Sequence, residues 1–393
     1  MPYKPMPYKN VDWNTVSRLQ GATHIHVQSQ AMLERVYKAG LRCFTVSNYY
    51  PSAPYYPLAS VRDNQFCKKQ AHGVMRNGQY IPGPIDWNAV ILDHKSGWAN
   101  ELKVEYRRRL PFALGDPLFS EIPKNIVEAP NAEHHNFTDS RAHINSPGSL
   151  FASGTFDVRR HFLLEQKGFA RGTGMPWRDA FKRMLDGLLI ADGGGITINH
   201  PIWSKLPASQ IHEMLDFDPR VLGMEIHNDS CVQDRPEEDA SQNEKLWDAV
   251  LATGRQCFGF FTPDWEHTSN ENWQGRCVLL VKEPTTEACL RAYRRGEFYG
   301  ALRDGGLAFR RIDADQQSVR VELDTDGKIE FITEKGIVQT STGKSAHYQL
   351  PQENGKPNVT FVRIKARDNA GQVLFSQPML FRPTSPQNPL PAN

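Results

Sequence analysis

The chain has 393 residues and a balanced composition: 39% are hydrophobic, 23% charged and 10% aromatic, and the formal net charge is +2. This length predicts two domains, because one ordinary hydrophobic core rarely extends over so many residues. The small net charge argues against a broad basic surface for nucleic acid or membrane binding. The short run YRRRL at 106–110 is interpreted as a solvated face.

Neither a transmembrane segment nor a secretory signal is indicated. No run approaches the roughly 18 apolar residues that cross a bilayer, and the N-terminal sequence MPYKPMPYKNVDW lacks an apolar core. We expect a soluble, cytoplasmic protein, or a periplasmic or secreted one if a leader has been removed. The sequence does not indicate an oligomeric state.

The six cysteines are scattered without CxxC spacing, which argues against a disulfide framework or a zinc knuckle. They are interpreted as reduced core residues, and they are Cys43, Cys67, Cys231, Cys257, Cys277 and Cys289.

Between about residues 20 and 300, apolar runs alternate with amphipathic segments, which is typical of a parallel β/α architecture. The predicted strands are ATHIHV, LRCFTVS, NAVILDH, GITINH, LGMEIHN and RQCFGFF. The predicted helices are PWRDAFKRMLDGLLIADGG, NEKLWDAVLATG and TTEACLRAYRRG. Each helical segment closes on glycine, and Pro176 can open the first of them.

After about residue 305 the pattern changes to alternating apolar and polar residues, which predicts antiparallel strands. The motifs DTDG and DNAG at 324–327 and 368–371 are predicted turns. We therefore predict a small β-sandwich-like domain over 306–385, followed by a tail over 386–393. Stabilisation of the first domain is its expected role, with carbohydrate binding and dimerisation as alternatives.

Polar residues collect at the ends of the predicted strands. His24 and His26 leave the same face of the first strand, because side chains two apart on a strand point the same way. Carboxyl ends of parallel strands share one rim, so distant segments of the chain converge there. Taken singly, each residue has an ordinary explanation, such as a solvated histidine or a turn.

The rim residues together have the composition of a dinuclear hydrolytic site. A carboxylate that bridges two cations, several imidazoles and an aspartate can hold two metals about 3.5 to 4 Å apart. Mixed nitrogen and oxygen ligands fit Zn, Mn or Fe, and argue against Ca or Mg alone.

The order of these motifs resembles the polymerase and histidinol phosphatase (PHP) family, especially its stand-alone metal-dependent phosphoesterases with a C-terminal β module. The resembling segments are THIHV, NAEHHNFTDSRAHINSPGS, GGGITINHPIW, VLGMEIHND, LWDAVLATGRQCFGFFTPDWEH and CLRAYRRGEFYGAL. They span most of residues 20 to 305.

The resemblance implies a distorted (β/α)7 TIM-like barrel over residues 1–305, with metals at the carboxyl ends of its strands. It implies one metal held by His24, His26, Glu133 and Asp264, and a second held by Glu133, His143 and His200. Glu133 would then bridge the pair.

The chain departs from the family pattern in two places. Ser47, Asn48 and Tyr49 stand where the family usually has Thr-Asp-His, so the third metal site of the family is incomplete and two metals are expected. The last motif, Asp264 to His267, is one residue longer than Asp-x-His. His267 is therefore predicted as an acid or a phosphate contact.

The leading hypothesis is a phosphoesterase whose nucleophile is a hydroxide that bridges two metals and whose substrate is a small phosphorylated molecule. His267, His134 and His227 are candidate general acids, and Asn48, Tyr49, Trp203 and Asn228 are candidate substrate-binding residues. One alternative is hydrolysis of a carboxylic ester, carbamate or amide on the same metals. Another is a non-catalytic carbohydrate- or protein-binding module with a structural metal.

Overall fold

The structure is a computed structural model, and it describes most of the two predicted domains. The described residues are 6–27, 29–47, 56–60, 74–76, 79–81, 117–135, 137–151, 173, 175–234, 240–265 and 275–384. The predicted strand NAVILDH lies outside this part of the chain.

Six α-helices are described, and all of them precede residue 300. Helices α1 to α6 are Gln30–Lys38, Trp177–Asp186, Ala208–Phe217, Asp229–Asp234, Ala240–Ala252 and Thr286–Arg295. A short 3-10 turn spans Leu58–Ser60.

The helix α2 is shorter than the sequence predicts. It follows Pro176 as expected, but it ends at Asp186, where Gly187 N–H bonds to Arg183 O at 3.0 Å. Leu188 instead forms an isolated bridge with Ser149. The apolar residues after Gly187 therefore continue the helical spacing in the sequence, although the helix itself ends at Asp186.

Twenty-one strands are described, of which β1 to β13 precede residue 305. Strands β1 to β11 are Ser17–His26, Cys43–Val46, Val74–Arg76, Gln79–Ile81, Val127–Glu128, Glu133–His134, His143–Asn145, Ile196–Asn199, Val221–Asn228, Phe258–Thr262 and Asp264–Trp265. Strands β12 to β21 are Gly275–Val281, Phe298–Leu302, Phe309–Ala314, Ser318–Thr333, Gly336–Gln349, Gln352–Glu353, Lys356–Pro357, Phe361–Arg367, Val373–Phe375 and Met379–Leu380.

Two sheets carry the N-terminal part of the fold. In the larger sheet, β1 pairs in parallel with β2 and β11, and β2 pairs in parallel with β5. The smaller sheet has the order β10-β9-β8-β7-β6, with β8, β9 and β10 parallel and β6 and β7 antiparallel. Because β10 leads into β11, which pairs with β1, the two sheets meet beside the end of β1.

The fold is therefore mixed α/β with large sheets and few described helices. The parallel core agrees with the predicted β/α architecture, whereas the described pairings leave two separate sheets. A closed (β/α)7 barrel stays a prediction.

All described elements after residue 305 are strands. The motif DNAG joins β19 to β20 and is a turn, as predicted. DTDG, in contrast, lies inside the 16-residue strand β15, where the ladder with β16 shifts register between Glu322 and Gly327. The prediction of a turn there was wrong, because the irregularity is absorbed within the ladder and the chain reverses just before Gly336, at φ 84°.

No helix of the described residues is long and apolar enough to cross a membrane.

Candidate metal centre

The end of β1 brings two imidazoles together inside the protein. The ring centroids of His24 and His26 are 5.1 Å apart, and both side chains are buried. Strand β1 lies between β2 and β11, so its last residues face neighbouring strand ends on both sides. The alternation of a strand, combined with this central position, places both rings on one buried face.

The Nε2 atoms of these rings face each other and a carboxylate. His24 Nε2 lies 3.2 Å from His26 Nε2. Asp264 Oδ1 lies 3.1 Å from His24 Nε2 and 3.3 Å from His26 Nε2. Asp264 comes from β11, which pairs with β1 beside Ile25.

Glu133, on the short strand β6, completes this cluster and connects it to two further imidazoles. Its Oε2 is 3.1 Å from His26 Nε2 and 3.5 Å from His24 Nε2. Its Oε1 is 2.8 Å from His143 Nδ1 and 3.6 Å from His200 Nε2. The two oxygens of one carboxylate thus face two different pairs of imidazoles.

Several nitrogen and oxygen atoms of the cluster can face one another with no hydrogen atom between them. His24 Nδ1 lies 2.7 Å from Glu225 Oε1, so in the neutral form of the ring, the form that binds a metal, Nδ1 carries the proton and Nε2 presents a lone pair. That lone pair faces Asp264 Oδ1, which receives no hydrogen bond within the described residues. Buried acceptors that face one another without donors are characteristic of a cation site.

The spacing of these atoms fits a divalent transition metal. Ligands about 2.0 to 2.2 Å from one such ion lie roughly 3 to 4 Å apart, as these atoms do. The atom groups within 4.8 Å of one another include His24, His26 and Asp264, and also His24, Glu133 and His200. The residues present therefore fit a metal, and all six residues predicted as ligands lie around this cluster.

Electrostatics in the cluster favour charged carboxylates and charged imidazoles. Burial alone would lower the pKa of His24, but the charges of Asp264, Glu225 and Glu133 outweigh it and raise the pKa well above its usual value. Burial alone would raise the pKa of Glu133, but His24 and neighbouring imidazoles hold it well below its usual range. The pKa of Asp264 is likewise lowered, since His24 and His26 outweigh its burial. The carboxylates thus attract positive charge, which a cation would supply in place of protons.

Two of these residues have strained backbones. His200 has φ 24° and Asp264 has φ 61°, values that non-glycine residues rarely adopt. Each stands at the point where a strand ends, and each is nearly fully buried. Such strain costs about 1 to 3 kcal/mol and clusters at functional sites, which supports a functional role for both residues.

Sequence reasoning missed Glu225 as a site residue, although it lies inside the quoted motif VLGMEIHND. Its Oε1 accepts from His24 Nδ1 at 2.7 Å and from Thr262 Oγ1 at 3.2 Å. Its Oε2 accepts from His200 N–H at 2.7 Å and from Asn228 Nδ2 at 2.9 Å. A carboxylate that fixes the tautomer of a metal-binding histidine is a common feature of metal sites.

Asn228 was predicted to contact substrate, but it is 2% exposed and its amide is engaged within the protein. Its Nδ2 donates to Glu225 and to Asp264 Oδ2, both at 2.9 Å, and its Oδ1 accepts from Cys231 N–H at 3.0 Å. The geometry makes Asn228 a residue that positions two carboxylates rather than a substrate contact.

The candidate acids occupy different surroundings. His134 is stacked on Phe151 and contacts Ser146 Oγ at 2.9 Å, and burial lowers its pKa to about 3. This environment keeps the ring neutral, which disfavours the acid role. His227 pairs with Asp229 at 2.7 Å, and its acid role stays a prediction. Asn48, Tyr49 and His267 lie outside the described residues.

An open cavity of about 480 Å³ adjoins the cluster through His143. The His143 side chain is 23% exposed, whereas the other described ligand candidates are nearly fully buried. The indole of Trp203 lies 5.6 Å from the His143 ring and 5.0 Å from the His200 ring. The cavity is lined by Phe137, Ser140, Arg141, His143, Trp203, Ser204 and Lys205. The cluster is therefore accessible to solvent from this side.

Cys231 is the second residue that sequence reasoning missed. The cysteines Cys43, Cys257, Cys277 and Cys289 are buried and unbridged, as predicted, and Cys67 lies outside the described residues. Cys231 is only partly buried, and it stands at the start of α4, directly after β9. Its Sγ is within 4.8 Å of ligand atoms of His200 and Asp264. The interpretation of Cys231 as a core residue was wrong, because β9 ends at the cluster and α4 turns there.

Comparisons with known proteins give only distant similarity, to solved structures. No family model matches the chain, and no curated protein matches it. Among solved structures, the chain is similar to a two-domain protein containing a predicted PHP-like metal-dependent phosphoesterase from Bacteroides vulgatus, with 12% sequence identity and a TM-score of 0.39. The match covers 90% of this chain and 91% of that chain. The functional assignment therefore depends on the site itself.

Proposed function

We propose that this protein is a metal-dependent hydrolase of the PHP type that cleaves a phosphate ester of a small molecule. The observation that carries the proposal is the placement of Glu133, whose two oxygens face two different groups of buried imidazoles. A bridging carboxylate between two ligand sets is the arrangement that a dinuclear hydrolytic centre requires.

In this proposal His24, His26, Glu133 and Asp264 hold one divalent ion, and Glu133, His143 and His200 hold a second, each Zn, Mn or Fe. When bound, such ions lower the pKa of a water molecule and neutralise charge on the phosphoryl group. The motif order along the chain, with the rim at the strand ends, supports a distorted (β/α)7 barrel as the scaffold.

Other residues of the chain position the ligands and contribute charge to the adjoining cavity. Glu225 keeps the proton of His24 on Nδ1, so that Nε2 faces the cluster. Trp203 packs against the rings of His143 and His200 and shields one side of the cluster from water. Arg141 and Lys205, which line the adjoining cavity, provide positive charge for an anionic substrate.

A proton for the leaving group is assigned to His227 or His267. The Asp229 carboxylate lies 2.7 Å from His227 Nε2 and fixes the orientation of the ring, as a general acid requires. Activity profiles of His227→Gln and His267→Gln identify the donor, because loss of the true donor slows substrates with poor leaving groups far more than those with good ones.

The proposal is tested by metal content together with a substrate screen. Protein purified without chelator is expected to contain about two equivalents of Zn, Mn or Fe by mass spectrometry. Glu133→Gln and His200→Ala are expected to lose most of this metal, while His347→Ala, an exposed histidine on β16, keeps it. The screen compares phosphate esters with carboxylic esters, carbamates and amides.

The outcomes separate the candidate functions. Metal loss in both variants together with phosphatase activity supports the proposal. Bound metal with activity only on esters or amides rejects the substrate class. Metal-free protein with the same stability in all variants rejects the metal centre altogether, and then a non-catalytic binding module is the better account.

A further inference from the structure

We propose that Cys231 is a thiolate ligand of the metal centre and that it biases the centre toward zinc, iron or cobalt and away from magnesium and manganese. The inference rests on the metal centre of the proposed function, but not on the reaction that the centre catalyses.

The first observation is the position of the sulfur. Cys231 Sγ lies within 4.8 Å of ligand atoms of both His200 and Asp264, which are also within 4.8 Å of each other. His200 directly follows β8, Asp264 begins β11, and Cys231 lies in the helix that follows β9, so three separate segments converge on this point. Such a trio of imidazole, carboxylate and thiol matches ligand types that bind zinc.

The second observation is that the atoms around the sulfur are held in place and remain available to a cation. Asp264 Oδ1 is buried and receives no hydrogen bond from the described residues. His200 Nδ1 is occupied by Ser204 Oγ at 3.1 Å, which leaves Nε2 on the side of Glu133 and Asp264. Asp264, beside Cys231, therefore offers one buried oxygen that no hydrogen bond of the described residues occupies, while Asn228 holds its other oxygen.

The third observation is the connection between the backbone of Cys231 and the carboxylates. Asn228 accepts from Cys231 N–H through Oδ1 and donates to Asp264 and Glu225 through Nδ2. One side-chain amide therefore sets the position of the cysteine relative to the aspartate. This is the arrangement expected of a residue that orients ligands of a metal site.

The proposed metal preference follows from the chemistry of the cysteine sulfur. On binding, the S–H bond breaks, the proton passes to solvent and a sulfur–metal bond forms, with no change in oxidation state. Thiolates are soft ligands that favour zinc, iron and cobalt, whereas magnesium and manganese prefer oxygen. Cys231 thus distinguishes this centre from one built of imidazole and carboxylate alone.

The test is cobalt substitution followed by absorption spectroscopy. The full-length protein is stripped of metal and titrated with Co²⁺, and a near-ultraviolet band of sulfur-to-cobalt charge transfer is expected. Cys231→Ser and Cys231→Ala are expected to lose this band while still binding cobalt, and Ser230→Ala, the neighbouring residue, is expected to keep it. Competition with a chelator is expected to show zinc affinity at least about tenfold weaker in Cys231→Ser, with manganese affinity nearly unchanged.

Each outcome is decisive. Cobalt bound without the charge-transfer band in the wild-type protein overturns the inference, as does a band that persists in Cys231→Ser. Failure to bind any cobalt overturns both the inference and the proposed metal centre. A cysteine-dependent band in a protein that hydrolyses no phosphate ester leaves the inference standing and rejects only the proposed reaction.

Discussion

At the scale of single residues, the carboxylate of Glu225 is held in place by hydrogen bonds from four other residues. It accepts four hydrogen bonds, from His24, Thr262, His200 and Asn228. Both oxygens act as acceptors, two contacts each, so a side chain with a single acceptor oxygen could not replace this one. This arrangement fixes the ring of His24 and the backbone of His200 at once.

Glu225→Gln is expected to weaken metal binding by about 10- to 100-fold, because the amide nitrogen would face a donor in either orientation. The measurement is competition for zinc with a chromogenic chelator. Glu128→Gln is the matched control, since Glu128 is a partly buried glutamate on β5 that accepts from Leu58 N–H, apart from the cluster. Equal zinc affinity in Glu225→Gln and wild type would show that the carboxylate does not orient the ligands.

Arg141 and Lys205 are the cationic residues of the cavity beside His143. Both are exposed, and neither forms an ion pair within the described part of the chain. Arg141→Ala and Lys205→Ala are expected to raise KM about 5- to 30-fold for a substrate with a second anionic group, since a charge-assisted hydrogen bond contributes about 1 to 2 kcal/mol. Metal content should not change.

A phosphate ester with a neutral leaving group is the control substrate for these two variants. Its KM is expected to change less than that of the doubly anionic substrate. A uniform rise in KM for both substrates would instead place the two cations at the phosphoryl group that is cleaved.

At the scale of elements, helix α5 is joined to strand β19 by a buried cation. Arg363 is 2% exposed and binds Asp248 through two hydrogen bonds of 2.6 and 2.8 Å. Its guanidinium carbon also lies 5.0 Å from the ring centre of Trp247. The planar guanidinium therefore joins an N-terminal helix to the C-terminal strands through both charge and stacking.

Arg363→Met is expected to lower the free energy of unfolding by about 2 kcal/mol, because it leaves Asp248 without its partner. Arg363→Lys is expected to restore little of this, since a lysine cannot form the paired hydrogen bonds. Chemical denaturation measures the change, with the exposed Arg311→Met as control. Unchanged stability in Arg363→Met would mean that this ion pair makes no net contribution.

At the scale of the whole molecule, one sheet continues from the candidate metal centre into the C-terminal strands. Strand β1, which carries two ligand candidates, pairs with β12, β12 with β13, and β13 with β20. Phe361, Phe375 and Leu380 belong to the same hydrophobic core as Trp247 and Phe261. The two predicted domains thus share both backbone pairing and core.

A fragment of residues 1–305 is consequently expected to be unstable on its own. It would expose the pairing edge of β13 and the core surface that Phe361 and Phe375 cover. Thermal denaturation and size-exclusion chromatography of the fragment, beside the full chain, test this. A monomeric fragment with the melting temperature of the full chain would support the boundary at residue 305 as that of an independent domain.

The sequence by itself indicated which residues collect at the cluster. His24 and His26 could be placed on one face because the period of a strand is fixed, and His200 and Asp264 near them because strand ends converge in a parallel sheet. Glu133 was indicated by the resemblance to the PHP family, since it lies on an antiparallel strand. The buried β/α pattern and the strand-rich C-terminal region also follow from local periodicity, which depends on neighbouring residues alone.

The tertiary structure decided what depends on contacts between distant residues. The roles proposed for Glu225 and Cys231 depend on contacts with residues that are distant in the sequence. No local sequence pattern predicts those contacts. The same holds for Asn228, whose amide turned out to join two carboxylates. DTDG has turn composition, but it forms an irregularity within β15, because the strand pairs with β16 on both sides of it, at Glu322 and again from Gly327.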